Sequence, residues 1–498
     1  FTSSRYYHCF ADQKNSADYA YAFGVNEFVL CASAYQPWID KYPGSTAGGK
    51  HYCLNRNNTY WEYSRPFWDY QARCSALMRK GVPVVDICVY LGQNPPVKLV
   101  TYRLPEIPEG YDFDVCTAEA LVGRTMAVDG RLTLPTGISY SLLVIQRNND
   151  MPLHVLRHIA GLVKGGVIVC GPRPDGSDSL KDKAESEEYR ALVDELWGEL
   201  TTVSQIRKVG KGKIYENIPL SEVLKYENIR PDIAIKSGNT AKDKVYFVHR
   251  RLSDADVYFL NNHSDRAFHD TVRLRTDARQ AEYWDAVTGQ RYMIPVKASG
   301  EKGMLLNLTL APRESGFIVT SNNQATGLLP IIADVQETIT PIEGSWNVYF
   351  DPRWGGPGKV VFDELIDWTV HADTGIRYYS GTAVYHKELN LAIPAQNERL
   401  LLRFPRLGSL ARVWVNGKEV VTVWCSPWEA DITSYVHEGK NNLKIEVVNS
   451  LMNRMIGDAS LPESERFTYA YPQIATPTDK LVPSGIMEQL NLVYRQCQ

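Results

Sequence analysis

Residues 55–74 read NRNNTYWEYSRPFWDYQARC, a stretch in which amides, a carboxylate and aromatic rings crowd into a loop that then becomes a helix. Pro66 suits the first turn of a helix, because its missing N–H would have no intrahelical partner there. The apolar residues after it recur at helical spacing, and Gly81 ends the pattern. The stretch predicts a polar loop and then a helix over residues 66–80, whose buried face contains Phe67, Tyr70, Cys74, Leu77 and Met78.

The segment before this loop predicts another helix over residues 12–23, ended by Gly24, and then an apolar strand over residues 25–32. The order helix, strand, long loop, helix is that of the last α/β unit of a TIM-like (β/α) barrel, which we assign to residues 1–82. The earlier strands of the barrel would then lie outside this chain. In such barrels the chemistry lies in the loops that follow the strands, which in this chain are residues 33–65. The alternative is that this unit merely docks on the next domain.

Residues 83–235 predict an α/β domain of the flavodoxin or amidotransferase type. Continuous apolar runs such as VVDICVYL at residues 84–91 alternate with amphipathic helices, which indicates a parallel sheet covered on both faces. Cys170 ends one of these runs and is a candidate nucleophile. Its neighbours Val169 and Gly171 do not form the small-residue elbow G-x-C-x-G, which favours an inert buried thiol.

The rest of the chain alternates polar and apolar residues with a turn about every ten residues, which predicts antiparallel sheets. We assign residues 236–325 to a β-sandwich and residues 326–498 to a second β-rich domain. In the latter, Asn416-Gly417 separates two alternating runs, a strong signal for a hairpin.

Composition narrows the possible partners. Fifty-four basic and fifty-seven acidic residues give a net charge of −3 without long runs of like charge, so neither nucleic acid nor an anionic membrane surface is favoured. No apolar run reaches the length of a transmembrane helix. Nine cysteines without paired spacing indicate mostly buried free thiols. Because the chain starts at Phe1 without an apolar leader, we expect a processed or partial chain.

Abundant Tyr and Trp suit ring-lined sugar clefts, and hydrolysis of a glycosidic bond needs two carboxyl groups flanking that bond. Glu62 is the best placed candidate, since Tyr60 and Trp61 beside it could stack on a sugar and raise the pKa of the carboxyl by desolvation. The alternative role for Glu62 is equally well supported: its negative charge would complement the positive end of the dipole of the following helix. The other candidates in this unit are less well placed: Glu27, Asp40 and Asp69.

A polar set in the same loop suits vicinal hydroxyl groups and consists of His51, Asn55, Arg56, Asn57 and Asn58. The Asn side chains, Glu62 and loop carbonyls are also oxygen ligands of the kind that calcium prefers, although no EF-hand spacing is present.

Ordered motifs along the whole chain resemble glycoside hydrolase family 106, the α-L-rhamnosidases. Besides the opening stretch they are YQPW (35–38), YDFDV (111–115), DELWG (194–198), VWVNGKEV (413–420), NRMIGD (453–458) and LVPSG (481–485). The resemblance implies a barrel followed by β-rich accessory domains, and calcium-assisted, inverting release of terminal L-rhamnose. It also implies a periplasmic or secreted bacterial protein, and a last domain like the galactose-binding jelly roll of β-galactosidases.

The sequence departs from that family in two ways. A glutamate regarded as catalytic lies just upstream of the point where this chain starts, so the resemblance implies that most of the barrel is absent from it. Cys31 and Tyr35 stand where the family tends to have histidines. In the last domain the tryptophans fit a β-sandwich core without any ligand: Trp414, Trp424 and Trp428.

Two functions follow from these expectations. The first is a rhamnosidase that uses Glu62 in catalysis and contacts its substrate through Tyr35, Trp38, His51, Asn55, Tyr60 and Trp61. The second is a carbohydrate-binding or scaffold module without catalysis of its own.

Overall fold

The computed structural model describes residues 6–31, 33–49, 54–92, 106–146, 150–174, 176–177, 186–199, 203–237, 245–300, 303–323, 329–330 and 336–496. Across these ranges, no helix is both long and apolar enough to cross a membrane. Free thiols, which the sequence predicts, are found among the described residues at Cys9, Cys74, Cys88, Cys116, Cys170 and Cys425.

Two helices frame the N-terminal unit, namely α1 (Phe10–Tyr21) and α2 (Arg65–Met78). Between them lie the short strand β1 (Pro43–Ser45) and a 3-10 turn at Trp61–Tyr63. Proline stands in the first turn of α2, and the predicted face is buried at Phe67, Tyr70, Cys74 and Met78. Both predicted helices are therefore confirmed, each starting and ending one or two residues early.

The strand predicted over residues 25–32 is wrong where the structure describes it, because residues 25–31 have no regular secondary structure. A strand needs a neighbour to take up its backbone hydrogen bonds, and the described residues provide none beside this stretch. Val29 in its middle is 98% exposed. The assignment of residues 1–82 to a barrel remains a prediction.

The two helices dock on the domains that follow, as in the alternative arrangement. Their apolar faces share one core with Phe259 and Phe317 of the β-sandwich and with Trp424 of the C-terminal domain. In α1, the buried Lys14 pairs with Asp18 at 2.7 Å and donates to the Ser315 hydroxyl at 2.8 Å. Burial of an ion pair requires such additional hydrogen bonds.

The α/β domain is built on a six-stranded sheet. Its strands are β3 (Ile87–Tyr90), β4 (Phe113–Cys116), β8 (Leu142–Ile145), β9 (Ile168–Cys170), β10 (Gln205–Val209) and β11 (Gly212–Glu216). They lie in the order β10-β11-β9-β8-β3-β4, and all neighbours run parallel except the β10–β11 pair. Every residue of β3 and β8 is buried, which explains their continuous apolar sequences.

Helices and a small sheet complete this domain. The helices are α3 (Ala118–Arg124), α4 (Leu153–Lys164), α5 (Ser186–Trp197) and α6 (Leu220–Tyr226). The small sheet joins β5 (Met126–Val128), β6 (Arg131–Thr133) and β7 (Ser139–Tyr140).

Two sheets with antiparallel ladders form the predicted β-sandwich around one apolar core. The first contains β12 (Ile233–Ile235), β15 (Phe268–Leu274), β18 (Val296–Ala298) and β19 (Met304–Leu310). The second contains β2 (Val82–Pro83), β13 (Val245–Arg251), β14 (Ala255–Asn262), β16 (Gln280–Trp284), β17 (Arg291–Ile294), β20 (Ser315–Ser321) and β21 (Leu329–Pro330), of which only β17 and β21 pair in parallel.

The C-terminal domain also packs two sheets face to face around a core of its own. Four strands form one sheet: β22 (Glu337–Pro341), β26 (Glu398–Arg403), β29 (Glu429–Asp431) and β32 (Asn491–Gln496). Six form the other: β23 (Trp346–Phe350), β24 (Gly358–Phe362), β25 (Thr382–Leu391), β27 (Leu410–Val415), β28 (Lys418–Val423) and β30 (Gly439–Val448). Outside them lie α7 (Thr374–Arg377), α8 (Met452–Asp458) and β31 (Tyr469–Tyr471).

The predicted hairpin is confirmed, since β27 and β28 pair antiparallel around Asn416 and Gly417. Both turn residues have positive φ, of 50° and 77°, as a tight two-residue hairpin requires.

Candidate functional site

The loop before α2 is shaped by its own amide side chains. Asn55 Oδ1 accepts the backbone N–H of Asn57 at 2.9 Å, and Asn58 Oδ1 accepts that of Tyr60 at 3.1 Å. Side chains that close such local turns replace backbone partners. All three asparagines are buried and help to hold the loop. That Asn55, Asn57 and Asn58 bind sugar hydroxyls stays a prediction.

Side-chain hydrogen bonds from Asn57 and Arg56 tie the loop to the segment before it. Asn57 Nδ2 donates to the carbonyl of Lys41 at 3.0 Å, and Arg56 donates to the carbonyls of Gln36 and Trp38, each at 3.3 Å. Two distant parts of the region between the helices are therefore held as one piece.

Tyr60, which the sequence predicts to stack on a sugar, has its side chain in the core. Its ring is buried and lies 5.8 Å from the ring of Phe10. Burial raises the pKa of its hydroxyl well above the usual value. The physical reason is the 3-10 turn, which directs Tyr60 and Tyr63 into the core and leaves Trp61 and Glu62 outside.

Glu62 is exposed, and Trp61 beside it is 39% exposed. The sequence predicts that the rings of Tyr60 and Trp61 shield this carboxyl group from water. They do not, because Tyr60 lies in the core and the Glu62 side chain lies in solvent. The backbone of Glu62 is nevertheless fixed, since Arg412 of β27 donates to its carbonyl oxygen at 2.9 Å. The guanidinium also lies 4.2 Å above the ring of Tyr63.

Three further residues were predicted to contact the substrate, namely Tyr35, Trp38 and His51. Tyr35 is 82% exposed. Trp38 is half-buried, and its ring centroid lies 5.0 Å from that of Tyr469 in an edge-on arrangement. His51 falls outside the described residues. Tyr469 was missed from the sequence, although the alternation Tyr-Ala-Tyr at residues 469–471 is a weak sign of an aromatic strand face.

The other carboxylates of this unit have local roles. Asp69 pairs with Arg65 at 2.8 Å within α2, and Glu27 lies 3.4 Å from Arg79. Asp40 is exposed.

The predicted calcium ligands do not fit a calcium site. The side-chain oxygens of Asn55 and Asn58 already accept backbone N–H groups, and Glu62 is exposed at the surface. Calcium requires six to eight converging oxygens. Within the described ranges, no group of three or more His, Cys, Asp or Glu side chains converges in a way that could hold a metal ion.

A second polar region lies where the α/β domain meets the β-sandwich, in a cleft of about 1070 Å³. Arg275 bridges the domains there, with 2.6 Å to Asp86 and 2.7 Å to Asp232. Asp232 also contacts Nδ1 of the buried His249 at 2.7 Å, and Asp256 contacts Nε2 at 3.0 Å. The carboxylates of Asp86 and Asp232 thus share the one guanidinium of Arg275, which is the arrangement of a structural joint.

Cys170 is an inert thiol rather than a nucleophile. It is buried at the end of β9, and burial raises its pKa to about 11. A thiol reacts as its thiolate, so this group is almost entirely protonated at neutral pH.

The two-sheet C-terminal domain and the chain before it both match known families of carbohydrate-acting proteins. Residues 333–494 match the sugar-binding domain of family 2 glycosyl hydrolases. Residues 1–297 match the family described as alpha-L-rhamnosidase, glycoside hydrolase family 106. The chain belongs to this α-L-rhamnosidase family, as the ordered motifs indicated.

Two similar proteins illustrate the relationship. The structure of a rhamnosidase from Novosphingobium sp. PP1Y superposes with a TM-score of 0.89 and 28% identity, covering 99% of this chain and 47% of that one. A putative beta-glucuronidase of Formosa agariphila is 23% identical over 91% of this chain and 57% of its own length. The chain therefore spans about half the length of these relatives.

Proposed function

We propose that this chain is part of a glycosidase that releases terminal α-L-rhamnose from a polysaccharide or glycoconjugate. The observation that carries the proposal is the similarity to the Novosphingobium rhamnosidase, which extends over 99% of the chain at a TM-score of 0.89. A superposition that extends over four successive structural units identifies a family more specifically than the similarity of one domain does. We also propose, by family resemblance alone, that the protein is periplasmic or secreted.

The reaction we propose is inverting hydrolysis with two carboxyl groups on opposite sides of the glycosidic bond. In this scheme one carboxylic acid protonates the leaving oxygen and one carboxylate activates water. We propose Glu62 as one of the pair. Support comes from its exposure and from the contact of Arg412 with its carbonyl oxygen, which holds the backbone of the turn in place. The partner is assigned to the part of the longer relatives that this chain does not span.

We propose no residue of the loop before α2 as a calcium ligand. The family resemblance implies the ion, but the oxygens of Asn55 and Asn58 are engaged and Glu62 is exposed, so we derive no step through it.

The experiment is a substrate comparison on the full-length protein. We expect hydrolysis of p-nitrophenyl α-L-rhamnopyranoside and none of p-nitrophenyl β-D-glucuronide, the substrate indicated by the name of the Formosa relative. Cleavage of the glucuronide alone would refute the proposal. Proton NMR of the first sugar released shows whether its anomeric configuration is inverted.

A non-catalytic carbohydrate-binding or scaffold module is the second candidate for the chain by itself. It is favoured by the match of residues 333–494 to a sugar-binding domain. Residues 1–498 expressed alone distinguish the two: sugar binding without turnover supports the module, whereas turnover of the aryl rhamnoside contradicts the assignment of the second carboxyl group to a region outside the chain.

A further inference from the structure

The loop region between α1 and α2 is joined to the C-terminal domain by a small parallel sheet. Strand β1 pairs with β31, with Pro43 opposite Tyr469 and Ser45 opposite Tyr471. Thr46 extends the contact, since its N–H donates to the carbonyl of Tyr471 at 2.9 Å and its hydroxyl to that of Pro472 at 2.8 Å. Two segments more than 400 residues apart in the chain thus form one surface.

Partly exposed aromatic rings gather at this junction. Trp38 and Tyr469 lie edge to face with centroids 5.0 Å apart. The Lys41 ammonium lies 4.1 Å from the ring of Tyr469 and 5.7 Å from that of Trp38. Alternate residues of a strand point to the same side, which places Tyr471 on the side of Tyr469, and Tyr471 is 64% exposed.

The rings are supported by a rigid segment. The Gln36 amide makes two hydrogen bonds with the backbone of Ser45, each of 2.8 Å. Gly44 has a φ of +72°, and a Cβ there would lie 2.4 Å from Gln36 Oε1. The positive φ favours glycine at this position, and the close approach lets Gln36 reach the Ser45 backbone.

The other side of the junction is fixed by Asp458 at the end of α8. Its buried Oδ2 accepts the N–H of Phe467 at 3.0 Å, the N–H of Thr468 at 2.7 Å and the Thr468 hydroxyl at 2.6 Å. Arg454 pairs with the other oxygen at 3.0 Å. The residues immediately before β31 are thereby held against the C-terminal domain.

We propose that Trp38, Lys41, Tyr469 and Tyr471 form a carbohydrate subsite that binds one pyranose ring of the glycan on which the enzyme acts. The proposal rests on the proposed function. An exposed ring face covers the apolar face of a sugar, and an ammonium beside it donates hydrogen bonds to hydroxyl groups. The C-terminal domain then binds substrate through an aromatic strand that lies outside its two sheets.

The test compares Tyr471→Ala and Trp38→Ala with Tyr226→Ala in the full-length protein. Tyr226 is a matched control, since it is 60% exposed on α6 in another domain. We expect kcat/KM for a rhamnose-bearing oligosaccharide to fall about tenfold in the two site variants, the loss of one good aromatic contact. Tyr226→Ala should cleave both this oligosaccharide and the aryl rhamnoside at the wild-type rate.

Affinity electrophoresis in a polysaccharide that carries terminal α-L-rhamnose separates this proposal from the proposed function, because it needs no turnover. We expect the wild type and Tyr226→Ala to be retarded more than either site variant. Equal retardation of all four proteins, or no retardation of the wild type, would overturn the subsite even if the enzyme is a rhamnosidase. If the aryl rhamnoside is not cleaved but retardation differs as expected, the subsite stands and the proposed reaction fails.

Discussion

Arg412 donates to the carbonyl oxygen of Glu62 at 2.9 Å, across 350 residues of sequence. The same guanidinium lies 4.2 Å above the ring of Tyr63, whose hydroxyl is 3.2 Å from that of Thr382. The turn that presents Glu62 is therefore built on the six-stranded sheet of the C-terminal domain. In this molecule, an accessory β-domain positions a candidate catalytic residue.

Replacing Arg412 by methionine should reduce activity. We expect kcat/KM of the full-length enzyme to fall about tenfold, because a lost charged hydrogen bond of about 1.5–3 kcal/mol releases the turn. Arg65→Met is the control, since Arg65 is exposed and pairs with Asp69 on the surface of α2. Steady-state kinetics on the aryl rhamnoside measures the effect, and equal activity of both variants would contradict it.

Glu62→Gln tests the candidate carboxylate itself. As a general acid or base, Glu62 should contribute about 10²–10⁴-fold to kcat, and the isosteric amide should leave the melting temperature unchanged because the side chain is exposed. The control is Glu27→Gln, which removes an exposed pair with Arg79. If Glu62→Gln has wild-type kinetics, Glu62 is not catalytic, and its charge only complements the start of α2.

Arg275→Met should destabilise the joint between the α/β domain and the β-sandwich. It leaves Asp86 and Asp232, both almost fully buried, without their shared cation. Removing one partner of a buried pair costs about 3–5 kcal/mol. We expect a clear drop in the urea midpoint by circular dichroism, and almost none for Arg157→Met, whose pair with Glu188 is half exposed.

Ionisation of Asp256 should make the free energy of unfolding fall as the solution is acidified. Burial raises the pKa of this carboxyl, but hydrogen bonds and charges from His249, Thr276 and Arg251 outweigh burial and lower the pKa to about 2. A folded pKa below the unfolded value of about 3.9 adds stability that is present above pH 4 and is lost as the pH falls from about 4 to about 2.

Allowing for solvent screening, the contribution of Asp256 is about 1–2 kcal/mol. Asp256→Asn should therefore lower stability at pH 7 and flatten the acid limb between pH 4 and 2, measured by urea unfolding at each pH. Asp254→Asn, at an exposed neighbouring position, should keep the wild-type slope.

Cys170 should resist alkylation. With its pKa raised to about 11 by burial, only about one thiol in ten thousand is a thiolate at pH 7. In the folded protein Cys170 should stay unlabelled by iodoacetamide, as followed by peptide mass spectrometry, and Cys170→Ser should retain activity. Rapid labelling of Cys170 in the folded protein would restore it as a candidate nucleophile.

Patterns that act over short distances predicted local structure correctly. The helical spacing of Phe67, Tyr70 and Cys74 predicted the buried face of α2, and Asn416-Gly417 predicted the hairpin, since each depends on residues a few positions apart. The apolar runs around β3 and β8 likewise predicted a covered parallel sheet.

The sequence by itself therefore determined helices α1 and α2, the sheet classes and, through its ordered motifs, the family. Tertiary structure alone decided which way the loop residues face: it buried Tyr60, exposed Glu62 and brought Tyr469 against Trp38. It also left residues 25–31 without the expected strand. The physical reason is that a strand, a subsite or a buried ring needs partners far away in the chain, and no local pattern encodes which partners those are.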